Sequence, residues 1–370
     1  MTRKLEIADW CDVQRVLKET YEIWSPGLSR DRYREFVGMQ MAHPWCKQNY
    51  FYLILRDKQN SKTPAASMKY YKLTFQSLGK QYKFAGFGAI YTRKDLRGEG
   101  YATDMIKQAL DRAWYDDCHG AILFSDIGVD YYARIGFFDL NNERFVLQLT
   151  APHQHSEVHV PIDWTTEAPD ITGDTTDWSS CYRIEGNLIR TRYLITIRGQ
   201  IDYIDRHYRR WLRRQPYGIE RSSLYLHFKI MRENYLAEYS QHSWPKLELL
   251  TVDNHSASGY AILEYGGRVL RILELVGDEN TRRLLWKGVV ARARELEAVR
   301  VSGWESVLGD FAPGFSMNQL SSIDASLASS FQSLMFADKK KGRAMVLPLK
   351  DDIEDWLTIC PCPVLELDHL

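Results

Sequence analysis

The stretch Ile90-Tyr91-Thr92-Arg93-Lys94-Asp95-Leu96-Arg97-Gly98-Glu99-Gly100-Tyr101-Ala102 carries the strongest chemical signal in the sequence. In it a β-rich run passes through a basic, glycine-containing loop into a helical pattern. Glycines lack Cβ and let consecutive backbone N–H groups approach an anion, while a helix N-terminus adds partial positive charge at the same place. This combination suits a pyrophosphate cradle. Glycine in a strand-to-helix turn also arises for steric reasons alone, so the loop by itself leaves both readings open.

The surrounding periodicity supplies the elements that must hold this loop. Val13, Val16 and Leu17, and then the segment Arg32 to Val37, read as two amphipathic helices. Phe51 to Arg56 reads as a core strand, and Ala66 to Phe75 with Tyr82 to Thr92 as a hairpin. After the loop, Ala102, Met105, Ile106, Ala109, Leu110 and Ala113 fall on one helical face. A buried strand at Ala121 to Phe124, a short helical turn at Asp130 to Ile135 and a last strand at Phe145 to Leu149 complete the expected order α-α-β-β-β-α-β-α-β. Residues 151–180, rich in Pro, Thr, Asp and Ser, read as a linker. Beyond it a comparable order recurs: helical pattern over about 198–240, strands at Leu247 to Val252, Gly259 to Tyr265 and Arg268 to Val276, a helix over 281–298 and a strand at Val299 to Trp304. The recurrence suggests a degenerate internal duplication.

Arg97-x-x-Gly100-x-Ala102 resembles the R/Q-x-x-G-x-G/A signature of the GNAT acetyltransferase superfamily, and Tyr132-Ala133-Arg134-Ile135-Gly136-Phe137 resembles its second hallmark, Y-x-x-x-G-F. The resemblance covers about residues 5–150. It implies an α+β GNAT fold, with a mixed, mostly antiparallel sheet opened into a V-shaped splay and helices on both faces, and acetyl-CoA as the acetyl donor. It also implies roles for individual residues. Ile90, Tyr91 and Thr92 offer backbone groups to the pantetheine arm, the amides from Arg97 through Gly98, Glu99, Gly100 and Tyr101 to Ala102 hold the pyrophosphate, and Tyr132 is the general acid toward the leaving thiolate. A phenol of ordinary pKa about 10 stays protonated at neutral pH and suits that task. Tyr131 reads as a packing neighbour. For the base, Asp126 in Ser125-Asp126-Ile127-Gly128 is a candidate by position, and is equally readable as an N-cap or turn residue.

The stretch Leu123-Phe124-Ser125-Asp126-Ile127-Gly128, together with Tyr131 to Phe137, is similar to the fungal lysine N6-acetyltransferase family, which carries a C-terminal half of similar length. That resemblance implies free L-lysine as acceptor, acetylated on its side-chain amine in lysine catabolism. Lys94 stands where family strands often have proline. The second half lacks a phosphate loop, reading Val276-Gly277-Asp278-Glu279-Asn280-Thr281-Arg282-Arg283 at the corresponding point, where acidic residues repel pyrophosphate. The expected plan is therefore a catalytic domain over 1–150, a linker over 151–180, and a non-catalytic GNAT-like domain over 181–370 that closes the acceptor side. The rival acceptors are a peptide, an aminoglycoside or a polyamine, and the rival class is a GNAT-like binding protein without turnover.

Composition narrows the partners. A chain of 370 residues exceeds what one hydrophobic core usually supports, and 45% hydrophobic with 26% charged residues is a globular composition. Basic and acidic residues both total 48, so no positive excess draws the protein to nucleic acid or an anionic membrane. The basic run Arg206 to Arg214 reads as a solvated helix face. The six cysteines form no paired CxxC half-sites and the histidines no ligand-spaced motif, so no metal is expected and the thiols read as reduced. The start has no apolar leader core and no apolar run reaches membrane-spanning length, from which a soluble, cytoplasmic protein is expected.

Overall fold

The computed structural model describes residues 3–57, 63–140, 143–150, 178–254, 257–308, 316–318, 324–337, 342–353 and 365–369. Its first half runs β1 (Arg3–Ile7), α1 (Trp10–Trp24), α2 (Arg30–Ala42), α3 (Pro44–Asn49), β2 (Tyr50–Asp57), β3 (Ala66–Ser77), β4 (Lys80–Thr92), α4 (Tyr101–Tyr115), β5 (Gly120–Ser125), α5 (Asp130–Ala133), β6 (Phe138–Asp139) and β7 (Arg144–Leu149). The second half runs β8 (Trp178–Ile184), β9 (Asn187–Tyr193), α6 (Arg198–Leu212), β10 (Gly218–Ile219), α7 (Ser223–Tyr239), β11 (Leu247–Asp253), β12 (Ser258–Gly266), β13 (Val269–Val276), α8 (Glu279–Glu295), β14 (Arg300–Trp304), α9 (Ala325–Ala328), β15 (Phe331–Ala337) and β16 (Arg343–Pro348). Of the expected linker, 151–177 lies outside the described residues, and Trp178 already begins a strand.

Two mixed, mostly antiparallel sheets result, ordered β1-β2-β3-β4-β5-β16-β6 and β15-β7-β14-β13-β12-β11-β9-β8, with β10 pairing the far end of β3. The fold is α+β, a GNAT-type unit followed by a second GNAT-like one. Each sheet contains one short parallel pair: Phe84 to Phe87 of β4 against Gly120 to Leu123 of β5, and Val269 to Ile272 of β13 against Arg300 to Gly303 of β14. The shared plan supports the duplication suggested by the sequence.

The strand expected at 145–149 forms, but not where the chain order puts it. β7 lies between β15 and β14 in the second sheet, while β16 enters the first sheet between β5 and β6. The connections β6–β7 and β15–β16 thus cross between the sheets in opposite directions. The physical reason is that alternation of buried side chains, as at Phe145, Leu147 and Leu149, specifies a strand and its inward face but not its neighbours. Two further expectations need adjusting. The first 60 residues contain the edge strand β1, and the helical pattern over 198–240 is broken into α6 and α7 by the turn that carries β10.

Four apolar clusters cover the sheet faces. On the first sheet, Met105, Ile106, Ala109 and Ala113 of α4 pack on Leu53, Met68, Tyr70 and Phe87. The opposite face is covered by α1 to α3 and also by α7, whose Tyr225, Phe228 and Leu236 join the same core as Val13, Phe36 and Tyr71. The second half therefore contributes a helix to the core that backs the first sheet. The second sheet is sandwiched between α8 and α6.

Candidate active site

The donor groove begins where β4 and β5 part. Their pairing ends at Phe87 and Leu123, while β4 continues to Thr92 along β3. The departure coincides with a bulge: Lys69 faces Gly88 and Ser67 faces Tyr91, so two residues of β4, Ala89 and Ile90, oppose only Met68. Ala89 has φ 46°, a left-handed conformation at a non-glycine residue. Such strained backbone re-aims peptide groups and tends to occur at sites of function. Beyond the bulge, the Arg93 amide donates to Ala65 O at 3.0 Å. By strand alternation, Tyr91 then presents its peptide groups to β3, while Ile90 and Thr92 present theirs to the open side.

The glycine loop follows immediately. Lys94–Leu96 forms a 3-10 turn, Gly98 and Gly100 have φ 85° and 83°, and α4 starts at Tyr101 with Gly100 as a left-handed N-cap that supplies no side-chain acceptor. The first amides of α4 are thus left to an external anion. Arg97 folds back to donate to Thr92 O at 3.3 Å, and the Glu99 and Arg97 side chains are exposed. Arg3 on β1 was not singled out by the sequence, yet it clamps the loop. It donates to Glu99 O at 3.0 Å, pairs with Asp104 and stacks 3.7 Å above the buried Tyr101 ring. Ala102 is half-buried in the first turn.

Tyr132 sits on the one-turn helix α5. Its ring packs against Tyr131 and Phe137, and Gly136, at φ 109°, turns the chain so that the Phe137 amide donates to Tyr132 O at 3.1 Å. Burial, then the neighbouring Tyr131 and Asp126, pushes the phenol well above its ordinary value, so it stays protonated as a donor must. Tyr131 does more than pack, since its hydroxyl lies 3.1 Å from Thr103 Oγ1 and ties α5 to the first turn of α4. Asp126 is exposed and accepts the Gly342 amide at 2.9 Å, which anchors the start of β16 beside Ser125, whose hydroxyl closes the turn onto Gly128 O at 2.5 Å. It thus has the turn role, and it also borders the same cavity as Tyr132.

That cavity, of about 720 Å³, runs from Gly88, Ala89 and Ile90 to side chains of the second half. Its walls include Lys69 from β3, Lys229, Arg232 and Glu233 from α7, and Glu264, Arg271 and Glu366. Arg271 pairs with Glu264 and Glu366 through its two Nη groups, while its Nε is buried without a hydrogen-bond partner. Burial raises the Glu264 carboxyl to about 7 against the opposing pull of Arg271, with Glu233 and Glu366 pushing it up further. Burial, with Arg232 nearby, lowers Lys69 to about 7. Residues 366–369 are held at the rim by a buried network in which Arg221 pairs with Asp368 at 2.7 Å and Glu274 at 2.5 Å. No sequence signal marks these charged residues as a group, because they come from four separate stretches of chain. Among the described residues no cluster of His, Cys, Asp or Glu could hold a metal ion, and no helix is long and apolar enough to cross a membrane.

Among the described residues the second half has no comparable cradle. Asp278 caps α8 with its own carboxylate, accepting the Thr281 amide at 2.9 Å, so a side-chain anion already occupies that helix terminus, and Thr281 packs close against Gly259 and Gly277. Calorimetric titration with acetyl-CoA is expected to give a stoichiometry near one per chain. Two equivalent sites would contradict the contrast between the helix termini.

Comparison with known proteins agrees with this geometry. Residues 2–138 match the acetyltransferase (GNAT) domain family. No curated protein matches the chain in sequence. Among solved structures, a GCN5-related N-acetyltransferase from Anabaena variabilis is similar at TM-score 0.60 and 14% identity, over 93% of this chain and 72% of that one. A probable N-acyltransferase of unknown function from Enterococcus faecalis gives 0.61 and 10%, over 95% and 73%. Eis1 from Mycobacterium abscessus gives 0.51 and 10%, over 94% and 74%. Residues 2–138 are thus an acetyltransferase domain of the GNAT superfamily, an acyltransferase unit whose donor is acetyl-CoA.

Proposed function

We propose that the protein transfers acetyl from acetyl-CoA to the side-chain amine of a small amino acid, free L-lysine first among them. The observation that carries this reading is the cavity itself. It joins the β4–β5 splay and Tyr132 to a charged wall supplied by α7, β12, β13 and residues 366–369, so that the second half bounds the acceptor space. A peptide acceptor calls for an open groove, whereas a walled cavity lined with both signs of charge suits a small zwitterion. In this reading residues 1–150 hold the donor and residues 181–370 close over the acceptor.

The reaction is direct attack. The neutral amine adds to the thioester carbonyl, and a backbone N–H at the β4 bulge meets the developing oxyanion, a preorganised interaction worth a few kcal/mol in acyl transfer. The C–S bond then breaks, Tyr132 gives its proton to the departing thiolate, and the nitrogen loses its proton to water or to Asp126. The pantetheine arm runs along Ile90 and Thr92, and the pyrophosphate rests on the amides from Arg97 to Ala102.

A thiol-release assay with acetyl-CoA against free amino acids, polyamines, aminoglycosides and peptides tests the reading. Lysine should be the best acceptor, ornithine poor because it is one methylene short, and α-blocked or peptide-linked lysine poorer still, because a site built to bond both α-groups can reject analogues lacking one by about 10⁴-fold. Histone-tail peptides acetylated with kcat/KM equal to or above that of lysine would replace it with a protein acetyltransferase.

A further inference from the structure

The charged wall of the cavity is unevenly satisfied. Arg271 is held by two carboxylates, and Lys229 donates to His369 O at 2.6 Å. Arg232 differs from both. Among the described residues no carboxylate pairs with it, and its Nε, like that of Arg271, is buried without a hydrogen-bond partner. The next residue on α7, Glu233, also lines the cavity and, although Arg232, Lys229 and Arg271 attract it, makes no direct ion pair among the described residues, accepting the Trp244 indole N–H at 3.1 Å. Beside Arg232 stand a second basic group, Lys69, whose charge burial and Arg232 already disfavour, and the buried hydroxyl of Tyr71, which again has no partner. A guanidinium beside a second basic group, an unpaired guanidinium N–H and an unpaired phenol are costly to keep together in a partly buried wall, and a bound anion lowers that cost and favours the protonated form of Lys69.

We propose that Arg232 and Glu233 form the head-group subsite for a free α-amino acid, Arg232 binding its carboxylate with Lys69 alongside and Glu233 its α-ammonium. The acceptor's side chain then extends from α7 toward the β4 bulge, where its amine meets the thioester. This assignment rests on the small-amine reading above and names what selects within that class. Adjacent residues of opposite charge on one helix, both facing the cavity, match the paired charges on the α-carbon of an amino acid, and guanidinium suits a carboxylate because its fork can donate two parallel hydrogen bonds.

The test uses the full-length protein with saturating acetyl-CoA and compares L-lysine with cadaverine, which has the same amine and chain but no carboxylate. In the wild type, kcat/KM should favour lysine strongly. In Arg232→Gln that preference should fall about 100-fold, mostly through KM for lysine, as expected when one partner of a buried charge pair is removed. Arg232→Lys should recover part of it, whereas Glu233→Gln, which removes the partner of an ammonium that cadaverine also carries, should raise KM for both amines and leave the ratio nearly unchanged. Acetyl-CoA titration confirms that each variant is folded. A lysine-to-cadaverine ratio unchanged in Arg232→Gln overturns the subsite while leaving amine acetylation intact. Should the wild type acetylate no free amino acid, the functional reading fails, and the subsite is judged separately by calorimetry of lysine binding to the CoA-saturated protein. Binding that Arg232→Gln abolishes sustains the subsite, whereas no binding, or equal binding in the variant, overturns it.

Discussion

Acetyl-CoA binding should be lost on replacing Gly100 with Glu, with affinity falling at least about 100-fold. Three effects act together. Gly100 holds φ 83°, where an L-residue costs roughly 1–2 kcal/mol. The new carboxylate can fold onto the amides that open α4, becoming an internal cap for groups that would otherwise face the donor. Its charge also repels the pyrophosphate. Space is not the cause, since a Cβ at Gly100 would meet only Arg3 Nη1, at 3.8 Å. Gly100→Ala therefore isolates the backbone contribution and should lose far less affinity than Gly100→Glu. Calorimetry on both variants separates the contributions, and a Glu variant that binds within a few-fold of wild type would remove the pyrophosphate from this loop.

Turnover should fall about 10²- to 10⁴-fold in Tyr132→Phe, the usual range for loss of a general acid, with acetyl-CoA affinity nearly unchanged. The ring stays in place because its contacts with Tyr131 and Phe137 do not involve the hydroxyl. The hydroxyl acts on charge that develops on sulfur only as the bond breaks, so its removal affects the transition state and not donor binding. The sign of the pH dependence follows from the direction of the shift. Burial raises the phenol, so the donor form persists through the neutral and mildly alkaline range, and no alkaline fall in kcat in that range belongs to Tyr132. Wild-type turnover across pH in the Phe variant would mean that another group protonates the thiolate.

The legible parts of the site are those set by neighbours in sequence. The glycine loop could be read because a left-handed N-cap and free helix amides need particular residues within a few positions of one another. The Tyr132–Phe137 turn was legible for the same reason, with Gly136 at φ 109°. Asp126 marks where such reading stops. As a turn acid it looks the same in sequence whether it accepts a proton or only an amide, and its partner Gly342 lies in a distant part of the chain. Arg3 was invisible because nothing in an N-terminal edge strand announces that it will lie over the Tyr101 ring.

The sequence by itself determined the local elements, the loop that opens α4, the placement of Tyr132 and the absence of a second phosphate loop, since each depends on short-range backbone geometry or on periodicity. Only the tertiary structure decided that β7 and β16 sit in opposite sheets, that α7 packs behind the first sheet, and that Lys69, Arg232 and Glu233 border one cavity. A hydrophobic pattern states which face of a strand or helix is buried but not what buries it. Charged residues far apart in the chain therefore become a binding wall only once long-range strand pairing has fixed which faces meet.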